Sequence, residues 1–254
     1  MLITISIIAV LSLLIIVFNR KKSHPEKLVL NPEYRMILEE SIDFYKKLDP
    51  KEQQEFEHRI AFFLKTKRIE GVKCEIEKRD EAFVACGAMI PIFRFPEYYY
   101  PDLNVILIYP EQFDRDYQFT GSERRILGMV GEGNEMRATM ILSLKALRQG
   151  FKNQVDGRNV AIHEFIHLVD GDDRDIDGLP KALLSNQQTI PFLKLIHSEM
   201  KKIEENKSKL NPYGGTNEAE FFAVASEFFF ENPKKMKKHH PELFRMLNKI
   251  FNPN

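Results

Sequence analysis

The hydrophobic pattern of this chain changes character three times. Residues 2–18 are apolar and carry no charge, with only Thr4, Ser6 and Ser12 as polar interruptions. Between Glu33 and Arg68 the apolar positions fall at helical spacing. Ile37, Leu38, Ile42, Phe44 and Tyr45 precede Asp49-Pro50, and Phe56, Ile60, Phe63 and Leu64 follow it. This predicts two amphipathic helices, with Pro50 opening the second. The period then shortens. Ala82–Pro91, Asn104–Tyr109 and Arg137–Leu144 are short apolar runs that read as strands. Phe93–Asp102, with three tyrosines and two prolines, reads as a loop, and glycine-spaced Gly121–Gly133 as irregular chain. From Asn159 the helical period returns, predicting helices over 159–170, 189–205, 216–230 and 240–250. Residues 33–254 therefore read as one α+β domain, mostly helical with a small mixed sheet.

The first segment is of a different kind. Seventeen uncharged residues at about 1.5 Å each span about 25 Å, at the short end of a bilayer crossing. Asn19-Arg20-Lys21-Lys22 follows, and positive charge beside a span tends to stay in the cytoplasm. A cleaved signal peptide would carry its charge before the apolar run and a small-x-small site after it; neither is visible. The expectation is a single-pass transmembrane helix over 1–19 in the cell membrane, a basic, proline-containing linker over 20–32, and a folded domain on the cytoplasmic side.

Composition narrows the function classes. The 254 residues are 43% hydrophobic, enough for a core, and the 37 basic and 37 acidic side chains cancel. Disorder is excluded as the main state, and no nucleic-acid partner held by bulk positive charge is expected. Cys74 and Cys86 form no CxxC pair, so a cysteine zinc site and a disulfide framework are both excluded. The acidic residues Asp172, Asp173, Asp175 and Asp177 lack the ligand order of a calcium loop. The basic run Lys234–His240 reads as a solvated helix end rather than a lipid contact.

The chemistry gathers at His163-Glu164-Phe165-Ile166-His167, an HExxH pattern. On a helix, positions i and i+4 share a face, so both imidazoles reach one metal ion while Glu164 lies rotated to its side. The surrounding residues Val160, Ala161, Ile162, Phe165, Ile166, Leu168 and Val169 predict burial. Buried histidines beside a buried glutamate need a partner, and a divalent cation supplies one. A catalytic zinc site takes three protein ligands and leaves one position open. The third candidate lies in Tyr213–Phe230, which carries Glu218, Glu220 and Glu227. Glu218 sits in a first helical turn, where the dipole already favours it. Spacing alone leaves Glu220 and Glu227 as alternatives. A ligating histidine usually hands its other N–H to a carboxylate or carbonyl, and Asp170, Glu227 and Asp177 are the candidates for that.

The blocks NVAIHEFIHLVD (159–170), DIDGLP (175–180) and YGGTNEAEFFAVASEFFFENP (213–233) together resemble the Mlc titration factor A family of zinc metallopeptidases. The site is also similar to that of the anthrax lethal factor catalytic domain. The resemblance covers about residues 34–252. It implies a zincin-like fold, one zinc ion held by His163, His167 and Glu220, Glu164 as general base on a zinc-activated water, and Tyr213 as an assisting residue. The substrate is then a peptide or protein, with endo- and aminopeptidase action both open. A binding module that sequesters a transcriptional repressor or another regulatory protein is the second reading, since the namesake binds a sugar-transport repressor. The resemblance departs at Ser143-Leu144, where the family carries Ser-Trp, and in the N-terminal span.

Overall fold

The computed structural model describes residues 28–111, 128–130, 138–173, 175–181 and 183–253. The expected span at 1–19 and most of the linker at 20–32 lie outside them. Among the described residues no helix is long and apolar enough to cross a membrane.

The two helices expected before residue 68 are present, with a short one between them. Helix α1 (Pro32–Ser41) starts where the Asn31 side chain accepts from the Glu33 N–H, and α2 spans Asp43–Lys46. Helix α3 (Pro50–Thr66) opens on a reciprocal cap between Asp49 and Glu52, with Pro50 at its first position. It buries Phe56, Ile60 and Phe63, and also Arg59. The Arg59 guanidinium donates to four backbone carbonyls, those of Ile92, Phe93, Phe95 and Tyr98, at 2.7–3.2 Å. This ties down the start of the stretch 93–102, which the sequence reads as a loop and which holds no helix or strand. Replacing Arg59 by methionine strands those carbonyls, each worth about 1–3 kcal/mol when buried and unpaired. The expected loss is about 4 kcal/mol or more in denaturant unfolding; a loss under about 1 kcal/mol would mean that water replaces the guanidinium.

Strand β1 (Arg68–Gly71) leads into α4 (Lys78–Met89), which corrects one expectation: Ala82–Pro91 is helix through Met89, not strand. Glu77 and Asp80 form a capping box, and Arg148 clamps the buried Asp80 carboxylate through Nε at 2.7 Å and Nη2 at 2.8 Å. Every residue from Ala82 to Met89 is buried, so no polar face remains to mark the helical period, and a short apolar run reads equally well as a strand.

Strands β2 (Val105–Tyr109), β3 (Gly128–Val130) and β4 (Thr139–Ser143) complete a sheet of order β1-β2-β4-β3. The first three in that order are parallel; β3 is antiparallel to β4, with Gly128 opposite Leu142. The sheet is mixed, as expected, but β3 falls inside the segment read as irregular. Three residues beside glycines carry too little pattern to announce a strand, and only pairing with β4 makes one. The Ser143 side chain ends β4 by accepting from the Ala146 N–H, which caps α5 (Leu144–Lys152).

Four expected helices follow as α6 (Val160–Asp170), α7 (Asn186–Glu204), α8 (Glu218–Glu231) and α10 (Pro241–Phe251). The basic run forms a helix of its own, α9 (Pro233–His239), with exposed lysines. His240, read as solvated, is instead buried at the α9–α10 junction, its Nδ1 2.6 Å from Glu199 of α7. Helix α6 lies between α4 and α8, with β3 and β4 against it. Phe165 of α6 meets Phe63 and Tyr100 in the core.

Candidate metal centre

Helix α6 begins where the Asn159 side chain accepts from the Ile162 N–H at 3.2 Å. Ala161, Phe165, Ile166 and Val169 are fully buried, which leaves the face of His163 and His167 turned to α8. The two Nε2 atoms stand 3.1 Å apart. Helix α8 is capped by Asn217, whose side chain accepts from the Glu220 N–H at 2.8 Å, so Glu220 sits in the first turn. Its Oε2 is 2.9 Å from His163 Nε2 and 3.6 Å from His167 Nε2. The three donor atoms lie within 4.8 Å of one another. Geometry separates the two carboxylates that spacing leaves open. Glu220 joins the cluster, whereas Glu227, two turns along, lies 2.7 Å from His163 Nδ1 on the opposite edge of that ring.

Residues 17–252 match the family of glucose-regulated metallo-peptidases M90. The chain belongs to this family. It is 30% identical over 237 residues to an uncharacterized Synechocystis protein, slr2042, covering 87% of this chain and 84% of that one. It is 24% identical over 214 residues to Mlc titration factor A of Klebsiella pneumoniae, covering 78% of each chain, and 24% identical over 208 residues to that of Escherichia fergusonii, covering 76% of each.

An M90 peptidase works with a divalent metal, and the residues present fit one. Two imidazole nitrogens and one carboxylate oxygen are a donor set that suits such an ion. With Nδ1–H donated to Glu227, neutral His163 turns the Nε2 lone pair into the cluster. Burial opposes charge on His163, yet Glu227 and Glu220 outweigh it and raise its pKa well above the ordinary histidine value. Burial likewise works to raise Glu220, but the two histidines win and hold it far below the usual carboxylate range. Without a metal, then, the two carboxylates favour a proton on His163. Glu227→Gln removes the charge behind the ring and is expected to weaken metal affinity about 10–100-fold in a chelator competition; unchanged affinity would show that Glu227 only caps α6.

Glu164 is 5% exposed, and burial raises its pKa. It lies directly beneath β3: a Cβ on Gly128 would stand 2.5 Å from its Cγ. The sequence reading passes over Gly128, because nothing in an apparently irregular segment marks one glycine as the roof of a carboxylate. Tyr213 occupies a one-turn 3-10 helix (Pro212–Gly215) fixed by Asn211, whose side chain accepts from the Tyr213 N–H. Its ring centroid is 6.1 Å from that of His163, and burial with the neighbouring Glu220 carboxylate pushes the phenol up to about 12. These groups line a cleft of about 1340 Å³.

Two expected partners of the histidines are elsewhere. Asp170 accepts from the Gly178 N–H at 2.8 Å, because the chain reverses after α6 and presents that backbone donor to it. Asp177 accepts from the Leu179 N–H and lies 3.7 Å from Lys181. Among the described residues His167 Nδ1 has no hydrogen-bond partner. One residue escaped notice: Glu231, one turn beyond Glu227. Glu227 and Glu231 accept from the backbone N–H groups of Asn159 and Arg158 at the head of α6. Burial pushes Glu231 up to about 8. A glutamate one turn beyond Glu227, set among the phenylalanines 228–230, is the available signal.

Proposed function

We propose that this protein is a zinc-dependent peptidase, anchored in a membrane by residues 1–19, whose Glu164 acts as general base. The convergence of His163 Nε2, His167 Nε2 and Glu220 Oε2 beside a buried carboxylate carries this reading. Two imidazoles and a carboxylate match the ligand sets of catalytic zinc. A bound zinc ion supplies Lewis acidity, lowering the pKa of a water toward about 7 and polarising a carbonyl.

The chain's own residues supply the rest. Glu164, with its pKa raised by burial, takes the proton of the attacking water and returns it to the leaving amine. Tyr213 keeps its proton at working pH, since burial and the neighbouring Glu220 carboxylate push its phenol up to about 12. It donates a hydrogen bond to the charge that develops on the carbonyl oxygen. Glu227 holds the His163 ring in orientation from behind. Gly128 leaves room above Glu164 that a side chain would fill.

The test is direct. The full chain should bind one zinc ion per molecule and hydrolyse short peptides; chelation should abolish hydrolysis and zinc should restore it. Hydrolysis indifferent to chelation would refute the proposal. The anchor rests on the uncharged run followed by Arg20-Lys21-Lys22, and release of the full chain by alkaline extraction of membranes would refute it.

The second reading is a regulatory-protein partner, because relatives carry the name Mlc titration factor A. A pure binder has no use for Glu164 in the wall of the cleft, which favours the peptidase.

A further inference from the structure

The cleft is lined by two unlike sets of residues. Lys145, Gln149, Asp156 and Arg158 are polar and exposed, the last two just ahead of α6; Ile176, Leu179 and Leu193 are apolar, and Ile176 packs near Gly171 at the end of α6. The candidate metal ligands belong to the same lining. Ile176 is 49% exposed, one of the few large aliphatic side chains so placed among the described residues. An aliphatic side chain bared inside a cleft, rather than scattered on the outer surface, marks a place for an apolar ligand.

The loop that presents this wall is held firmly. Asp170, 1% exposed, accepts from the Gly178 N–H at 2.8 Å. Gly178 has φ +78°, and a Cβ there would stand 2.4 Å from the Glu218 carbonyl oxygen. The backbone at 178 therefore rests on the first turn of α8, the turn that carries Glu220. Asp177 closes the loop through the Leu179 N–H at 3.0 Å. One loop thus ties the end of α6 to the start of α8 and brings Ile176 and Leu179 into the lining of the cleft that holds the metal ligands. Residues 175–180 form a block that the hydrolytic chemistry leaves without a role.

We propose that Ile176, Leu179 and Leu193 form an apolar subsite for a large aliphatic or aromatic side chain of a peptide, on a residue flanking the bond held at the metal centre. The inference rests on the peptidase reading for the placement of that bond. Asp170 and Gly178 are positioning residues that fix the wall. Selectivity from such a wall is modest, about tenfold between an apolar and a charged side chain, because the gain comes from burying a few methylenes.

The test uses the full zinc-loaded chain and two sets of short peptides. Within each set only the residue before or after the central bond varies, among Leu, Phe, Ser, Asp and Lys. Dissociation constants are read by fluorescence anisotropy on the Glu164→Gln chain, and kcat/KM on the unaltered chain. The expected result is about tenfold tighter binding of the Leu and Phe peptides than of the Asp peptide in one set. Ile176→Lys should reduce or invert that preference. Because Ile176 is exposed the variant should fold; Leu193→Lys is the second variant. Equal binding of all side chains, no peptide binding at all, or a preference untouched by both variants would overturn the subsite. Preference in binding with no hydrolysis by the unaltered chain would leave the subsite standing and sink the peptidase reading.

Discussion

Glu164→Gln is expected to keep its zinc and to lose about 10²–10⁴-fold in peptide hydrolysis, the range a positioned proton-transfer group supplies. Glu164 is not among the three converging donor atoms, so its loss removes no ligand. The amide has nearly the shape of the carboxyl and fits beneath Gly128, so the fold and the cleft should survive. What disappears is the basicity. Burial raises the Glu164 pKa, which brings it closer to that of an acidified water and makes the transfer less uphill. Zinc content by atomic absorption and kcat on a short peptide decide the matter. Full turnover in the glutamine variant would remove Glu164 from the mechanism; loss of zinc would place it in the ligand set.

The second large effect is on metal affinity with pH. In the metal-free chain burial opposes charge on His163, but Glu227 and Glu220 raise its pKa well above the ordinary value and favour a proton there. That proton must leave before Nε2 can ligate. Glu220, held far below the usual range, has none to lose. Metal binding therefore releases one proton at neutral pH, and the apparent dissociation constant should rise about tenfold for each unit of pH lowered below the His163 pKa. Stability of the metal-free chain runs the other way. A raised folded-state pKa contributes stability that is complete below the unfolded histidine value, about 6.5, and is lost as pH rises through the folded value. The rise in melting temperature on adding zinc should consequently grow from pH 6 to pH 8. A zinc-induced shift that stays flat over this range would mean that His163 is neutral in the metal-free chain.

The helices that carry the chemistry were legible in the sequence. HExxH sets two imidazoles one turn apart by the geometry of the α-helix, and the apolar residues around them announce burial. The caps that open α3 and α8 form between near neighbours in the chain, Asp49 with Glu52 and Asn217 with Glu220. The buried helix α4 failed for the opposite reason. With all residues from Ala82 to Met89 inside the core, the polar face that would reveal its period is missing.

Sequence by itself determined the local elements, the donor types and the spacing of the histidines, because these follow from bonds within a few residues of one another. Tertiary structure decided which carboxylate goes where. Glu220 and Glu227 share one face of α8, and only the way α8 lies along α6 sends the first to the Nε2 atoms and the second to the Nδ1 edge of the same ring. It also sent Asp170 to Gly178 rather than to His167, and laid Gly128 over Glu164 from a strand that exists only through its pairing with β4. Contacts between distant segments depend on how helices and strands pack in three dimensions, and residue spacing along the chain does not encode that packing.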